Sequence, residues 1–466
     1  MSALKRTSQL IALILLLCSF VGVSNVSSQN EVVENISVLA HNGYVSGASW
    51  GEDDRSVLTW GDQFVQLWSI DGALINLISQ PDFVLEAEWV DGNTRIFTWS
   101  LNAIRIFSVD GALQVEISDE GHISGYVLNH DETRMITWSY DNSVKLWDMN
   151  GELLYTIPHR DRVVQAYWDS QEALIISWDE GATVYVTNVD NATTVELSHE
   201  AWFEMSIDPM ANQIFLGAVF ISPDSHYILS LLNNKVHLWA IDGTHLLTFT
   251  HDDGLNGAVW SGDSNRFISW SFDGTARLWN IDGSLIAILQ HENGVNGAQW
   301  NRDETQIFTW SQDSTARIWT DEGQLLATLS HGNLDSSGQS IIDPRIPWTN
   351  WVCCVVWNAD QTAILTISSP FNAREGVNAA YLWNSDGELV ARMNHEFPVY
   401  GVAWNPEENL IVTWSADRTA KVWDVDGSLI ATLNHDGVVI SAIWSSDGRS
   451  LLTVSDDYLV HVWQVN

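Results

Sequence analysis

The feature that most constrains this chain is its internal period: the sequence repeats itself about every forty residues. The segments HDDGLNGAVWSGDSNRFISWSFDGTARLWNIDGSLIAILQ (251–290), HENGVNGAQWNRDETQIFTWSQDSTARIWTDEGQLLATLS (291–330) and HEFPVYGVAWNPEENLIVTWSADRTAKVWDVDGSLIATLN (395–434) align without a gap. One bulky residue early in each unit serves as a marker: Trp50, Trp89, Leu128, Trp168, Phe220, Trp260, Trp300, Trp357, Trp404 and Trp444. The steps between them are 39, 39, 40, 52, 40, 40, 57, 47 and 40 residues, giving ten units. The long steps mark insertions at 200–215 and 332–351 and a longer loop at 368–377. In such a chain each unit buries a face that it cannot bury alone against its neighbour.

Within 251–290, four short runs rich in Val, Ile, Leu, Thr and aromatics fall at 255–260, 265–270, 275–279 and 284–289. Gly, Asp, Asn and Ser separate them, and no stretch carries a sustained helical period. Four antiparallel strands per unit describe a β-propeller blade, so an all-β propeller of about ten blades is expected. ISVLAH (36–41) matches a fourth strand, whereas YLVHVWQVN (458–466) matches a third. The N-terminal strand is therefore expected to close the last blade and to cover sheet edges that invite aggregation. Propellers usually have four to eight blades, which leaves one ring or two open; the absence of a linker or composition shift favours one.

The Asp-Gly pairs admit two readings. A calcium loop needs a D-x-D-x-D-G ladder with a distant Glu, which NIDG and SFDG lack. Between apolar strands, Asp-Gly predicts a two-residue hairpin with both central residues at positive φ. Eight of the 14 histidines open a unit (His41, His159, His199, His251, His291, His331, His395, His435). Spread one per blade, they cannot converge on one zinc. No catalytic motif, metal site or cofactor site is assigned.

These units resemble the WD40-repeat family, on a His opening the unit, S-x-D after the second strand and a Trp closing the third; the resemblance covers nearly all of 35–466. It implies a hydrogen-bonded tetrad in each complete blade. The sets are His251, Ser271, Asp273 and Trp279; His291, Ser311, Asp313 and Trp319; His395, Ser415, Asp417 and Trp423; and His435, Ser455, Asp457 and Trp463. The unit at 119–158 has Asp119 in place of His. The unit at 80–118 departs most, with Gln80, Asn102 and Phe107, and is expected to be tied more loosely. The resemblance also implies a platform on which protein partners dock at one end of the ring.

Of the 26 Trp, only Trp202, Trp348 and Trp351 fall outside the three repeat positions, and all three sit in insertions. Repeat-position Trp read as core, since each buries some ~150–250 Å². The residue four before each marker varies against a fixed background. Asn256, Asn296 and Tyr400 from that series, and Tyr44 two residues before its first member Ser46, are candidates to line a partner-binding face, joined by Trp348 and Trp351.

Residues 1–28 read as a secretory signal peptide: Lys5 and Arg6, an apolar run from Leu10 to Val23, then small polar residues. Residues 29–466 form the propeller domain, expected to be secreted or otherwise extracytoplasmic without stable membrane insertion after cleavage. Leu17 sits where a lipoprotein signal wants a small residue, which argues against lipidation at Cys18. The net charge of -39 repels phosphate backbones, so nucleic acid is excluded as a partner. The sequence thus points to an exported, non-catalytic scaffold for protein–protein interaction. The alternative is a propeller enzyme or carbohydrate binder using the central funnel or the 331–351 insertion.

Overall fold

The computed structural model describes residues 33–41, 43–119, 121–199, 218–331, 333–334, 340–341, 352–368 and 378–466. Ten four-stranded antiparallel sheets follow one another along the chain, and each is a blade. Blade six shows the plan: Leu255–Trp260, Arg266–Ser271, Thr275–Asn280 and Leu285–Gln290, in spatial order. The alternation of side chains explains the composition. In the second strand Ile268 faces one way and Phe267 and Ser269 the other, and all three are buried. The fourth strand keeps Leu289 buried but leaves Leu285 and Ile288 exposed on the rim.

The tenth blade is composite. Val33–Ala40 pairs antiparallel with Leu459–Val465, from Val33 opposite Val465 to Ala40 opposite Leu459. The chain thereby closes on itself with the N-terminal strand outermost, as its sequence predicts. Apolar packing closes the same seam: Leu39, Val45, Val57 and Trp68 pack with Leu452, Val454 and Val460. Clusters of this kind lie at every junction of neighbouring blades, so the ten units form one ring rather than two.

Polar ties accompany the apolar ones. In most blades the turn between first and second strands holds a left-handed residue whose side chain reaches the corresponding turn of the preceding blade. The Glu132 carboxylate accepts the Asp91 N–H at 2.7 Å and that of Glu408 the Ala359 N–H at 2.6 Å. Across the closing seam, Asp54 accepts the Ser446 N–H at 2.8 Å and its hydroxyl at 2.6 Å.

The Asp-Gly turns differ from the expected hairpin. Gly283 takes φ +97°, but Asp282 is not left-handed. Asn280 and Ser284 close a three-residue loop (Asn280 N–H to Ser284 C=O, 2.9 Å), with the strand pairing bulged at Leu278/Trp279. The glycine supplies the left-handed bulge residue. Asp282 caps the turn by accepting the Ser284 N–H at 2.9 Å. The carboxylate thus satisfies its own turn.

Candidate functional site

Each blade is pinned by a buried hydroxyl at the middle of its second strand, and that hydroxyl differs from the one the S-x-D pattern suggests. In blade seven the Thr309 hydroxyl accepts the Trp319 indole N–H at 2.8 Å and bonds His291 Nε2 at 2.7 Å, while His291 Nδ1 meets Asp313 at 2.9 Å. A carboxylate only accepts, so Nδ1 carries the proton and Nε2 accepts from the hydroxyl. The same arrangement joins His251, Ser269, Asp273 and Trp279, and His395, Thr413, Asp417 and Trp423.

Ser271, Ser311, Ser415 and Ser455 are therefore not the tetrad hydroxyls. They lie two residues further along the strand, on the same face but nearer the turn. There Ser271 and Ser311 donate to the carbonyls of Gly254 and Gly294, and Ser415 to that of Phe397. The last blade departs once more. His435 bonds Thr453, as does Trp463, but its Nδ1 meets the Leu433 carbonyl rather than Asp457. Asp457 instead accepts the hydroxyl of Ser455 at 2.6 Å and the N–H of Gly437 at 3.0 Å.

Asp, His and hydroxyl stand here in the atom order of a catalytic triad. Burial separates them from one: Thr309, Thr413 and Ser269 are fully buried, and each hydroxyl oxygen already receives an indole N–H. Burial pushes His251 down to about 4, so its ring is neutral at neutral pH.

Blade two is not loosely tied. Gln80 donates to Thr98 at 3.1 Å and accepts from the buried Arg105, which also pairs with Asp82 and Glu116. An arginine network replaces the missing His and Trp. In blade three, Lys145 bridges Asp119 and Asp141 at 2.6 Å each.

The turns between second and third strands and the connections between blades share one end of the ring, because successive strands run antiparallel. That end carries exposed apolar side chains over five consecutive blades: Phe397, Tyr458, Tyr44, Phe83, Leu101 and Tyr140. The corresponding turns of blades four, six and seven carry Arg160, Arg162, Glu180, Asp252, Asp253 and Glu292 instead. Phe272 is the exception, half-buried against Gly254 and Gly294. Polar contacts knit the arc. Asn102 donates to Asp82 and meets His122 at 2.8 Å, His122 packs edge-on to Tyr140, and Arg162 lies 4.8 Å above the Tyr140 ring.

Of the residues singled out by sequence, Tyr44 lies at this end in the connection into blade one, and Tyr400 near the start of the first strand of blade nine. Burial first, and then the charge of Asp456, raises both phenols. Tyr44 also meets Tyr458 edge-on at 6.5 Å. Asn256 and Asn296 do not join them. Their amides donate at 3.0 Å to the carbonyls of Val295 and Val352, stapling each first strand to the next blade. They are half-buried ties between neighbouring blades. Trp348 and Trp351 lie outside the described residues, as do residues 1–28, the 200–215 insertion and most of 332–351, where Asn333–Leu334 pairs with Ser340–Ile341.

Phe83, Leu101, Tyr140, Phe397 and Tyr458 lie in turns and connections, where the variable position of the first strand gives no hint of them. Bulky apolar residues in otherwise polar turns were the available signal. On the first strands, among the described residues, Glu86 and Glu88 are the only carboxylates, and the Tyr126 hydroxyl donates to Glu88 at 2.9 Å. Burial raises Glu86 above the usual carboxylate range. Among the described residues no group of three His, Cys, Asp or Glu could hold a metal ion.

Four segments, 243–280, 283–320, 387–424 and 427–464, match the WD domain, G-beta repeat (WD40) family model. Together with the ten four-stranded blades, they make the chain a WD40-repeat β-propeller. Among solved structures it is similar to the computationally designed Ika8 protein, at 16% identity over 92% of this chain and 99% of that one, TM-score 0.47. It is also similar to the C-terminal WD40 domain of Sif2, at 14% identity over 93% of this chain and 98% of that one, TM-score 0.45. No curated protein sequence matches it.

Proposed function

We propose that this protein is an exported, non-catalytic scaffold that docks a protein partner on the end of the ring formed by the inter-blade connections and the second-to-third-strand turns. WD40 propellers are typical protein-interaction scaffolds. Export rests on the charge and hydropathy pattern of residues 1–28.

The observation that carries the docking reading is the exposure of Phe397, Tyr458, Tyr44, Phe83, Leu101 and Tyr140 on consecutive blades at one end. Large exposed apolar groups gathered on one surface mark interaction sites, and aromatic anchors carry most of the energy at protein interfaces. The exposed Leu, Ile and Val of the fourth strands are distributed around the rim instead, on every blade but the fourth.

Affinity capture from the native secretome tests the reading. A variant combining Phe83→Ala, Leu101→Ala and Tyr140→Ala should lose the captured partner, whereas a rim variant combining Leu285→Ala and Leu325→Ala should keep it. Retention by the first variant would remove the assignment of this face.

A further inference from the structure

In blades one to three and five to nine, the turn joining third and fourth strands carries a left-handed glycine, from Gly72 to Gly427. Blade four departs from this plan. Asn191 stands at the glycine's place, and Ala192 takes the left-handed angle instead, φ +55°. The Asn188 N–H meets the Thr193 carbonyl at 2.9 Å, closing a four-residue loop where blade six has three, and the strand pairing runs without the bulge. Asn191 and Thr193 are both exposed. The Asn188 side-chain oxygen holds the loop by accepting the N–H groups of Asp190 and Asn191 at 3.1 and 3.2 Å. Asn191 Oδ1 accepts the Thr193 N–H at 3.0 Å and the Thr193 hydroxyl at 2.6 Å. A backbone N–H only donates, so the amide's orientation is fixed, and its Nδ2 makes no hydrogen bond among the described residues.

Asn191-Ala192-Thr193 is an Asn-x-Thr sequence, the acceptor pattern for N-linked sugar. The pattern occurs in two other places. Asn25 falls within residues 1–28, outside the described residues. Asn35 lies in the strand that closes the ring, beside its bulge, and both of its pattern groups are engaged there: Nδ2 bonds His461 Nδ1 at 2.8 Å, and the Ser37 hydroxyl donates to the Ile70 carbonyl at 2.8 Å. The surface beside Asn191 is suited to sugar as well. The fourth strand of blade four exposes Thr194 and Glu196, whereas every other blade exposes Leu, Ile or Val on that strand. A hydrated oligosaccharide can rest on such hydroxyl and carboxylate groups without leaving polar atoms unmatched.

We propose that Asn191 is a glycosylation site, its Nδ2 accepting an oligosaccharide from a lipid-pyrophosphate donor as the chain is exported. The proposal rests on the export reading. In the transfer Nδ2 bonds the anomeric carbon of the first sugar and gives up one proton to the transferase. The bond from that carbon to the pyrophosphate oxygen breaks, and the lipid pyrophosphate leaves with the electron pair. The turn lies at the end of the ring opposite the inter-blade connections, so the glycan leaves the docking face clear.

The full-length chain, expressed with its own leader in a secretory host that performs N-glycosylation, tests this. The secreted protein is treated with peptide-N-glycosidase in heavy-oxygen water, which leaves a heavy Asp wherever a glycan stood, and its peptides are mapped by mass spectrometry. The label should fall at 191 and not at 35. Asn191→Gln and Thr193→Ala should each abolish it together with the mobility shift on a gel. Thr193→Ser should retain it, and Asn35→Gln should change nothing. Secreted protein with no label at 191, or with as much at 35, overturns the site. A parallel version carries a leader of proven function. If only that version is secreted and it is labelled at 191, the export reading fails and the acceptor site stands; if it is secreted unlabelled, the acceptor site itself fails.

Discussion

Gly401 lies beneath the indole of Trp414 on the adjoining strand, so closely that a Cβ on the glycine would stand 1.9 Å from the ring's Cζ2. The same pair recurs as Gly47 with Trp60, Gly125 with Trp138, Gly257 with Trp270 and Gly297 with Trp310. The indole covers the first strand where a side chain would otherwise project, and the glycine is required by close approach rather than by its backbone angles. Gly401→Ala must expel or tilt the indole. A loss of about 1–3 kcal/mol is expected, the usual cost of overpacking, in urea unfolding followed by tryptophan fluorescence. An unchanged midpoint would show that the ring yields freely.

The tetrad hydroxyl gives a second prediction. Thr309→Val strands the Trp319 indole N–H and His291 Nε2 in a buried site, and an unsatisfied buried group costs roughly 1–3 kcal/mol. Ser311→Ala releases the Gly294 carbonyl and the Asp313 N–H instead. Both variants should be destabilised, but only Thr309→Val should shift the Trp319 indole and His291 ring resonances strongly. A strong shift in Ser311→Ala with none in Thr309→Val would restore the S-x-D serine to the tetrad.

Acidification should loosen the ring over a defined window. Burial holds His41, His251 and His435 down to about 4, and His237 and His331 to about 3. An unfolded histidine titrates near 6.5. Below that pH the unfolded chain binds protons that the folded ring refuses, so this stability is whole above 6.5 and drains away as pH falls toward 3. Burial opposes the lowering of Asp313, but hydrogen bonding to His291 and Thr315 holds it down to about 2, so its contribution is lost at still lower pH. The urea midpoint should fall steadily from pH 7 to pH 4. A flat profile across that range would contradict the buried neutral rings.

Ring closure is the fourth. Removing Val33–Ala40 uncovers the edge of Leu459–Val465 and opens the cluster of Leu39 with Trp68, Val460 and Val462. An exposed edge strand templates association. The shortened protein should melt lower and elute as larger species in size-exclusion chromatography. A monomer of unchanged midpoint would mean that the seam does not depend on this strand.

Much of this architecture was legible in the sequence. The forty-residue period, the turn residues and the positions of Trp279, Trp319 and Trp423 led directly to four-stranded blades and to the composite tenth. Hidden were features that depend on which side of a strand a residue faces. Ser269 and Ser271 look interchangeable in one dimension, because both point the same way, and only their depth below the turn separates them. Asn256 varied as a recognition residue would, yet its amide reaches a carbonyl on the next blade, a contact 39 residues distant. The arc from Phe397 to Tyr140 was hidden because its members come from two kinds of turn, brought to one end only by antiparallel folding.

The central claim, that partners dock at this end of the ring, is tested most directly by a photo-crosslinking side chain placed in turn at Phe397 and at Asp282. Phe397 lies in an inter-blade connection, and Asp282 in a turn at the opposite end. Irradiation in the native secretome should give a covalent adduct with the partner from position 397 and none from 282. An adduct from 282 with none from 397 would contradict the account.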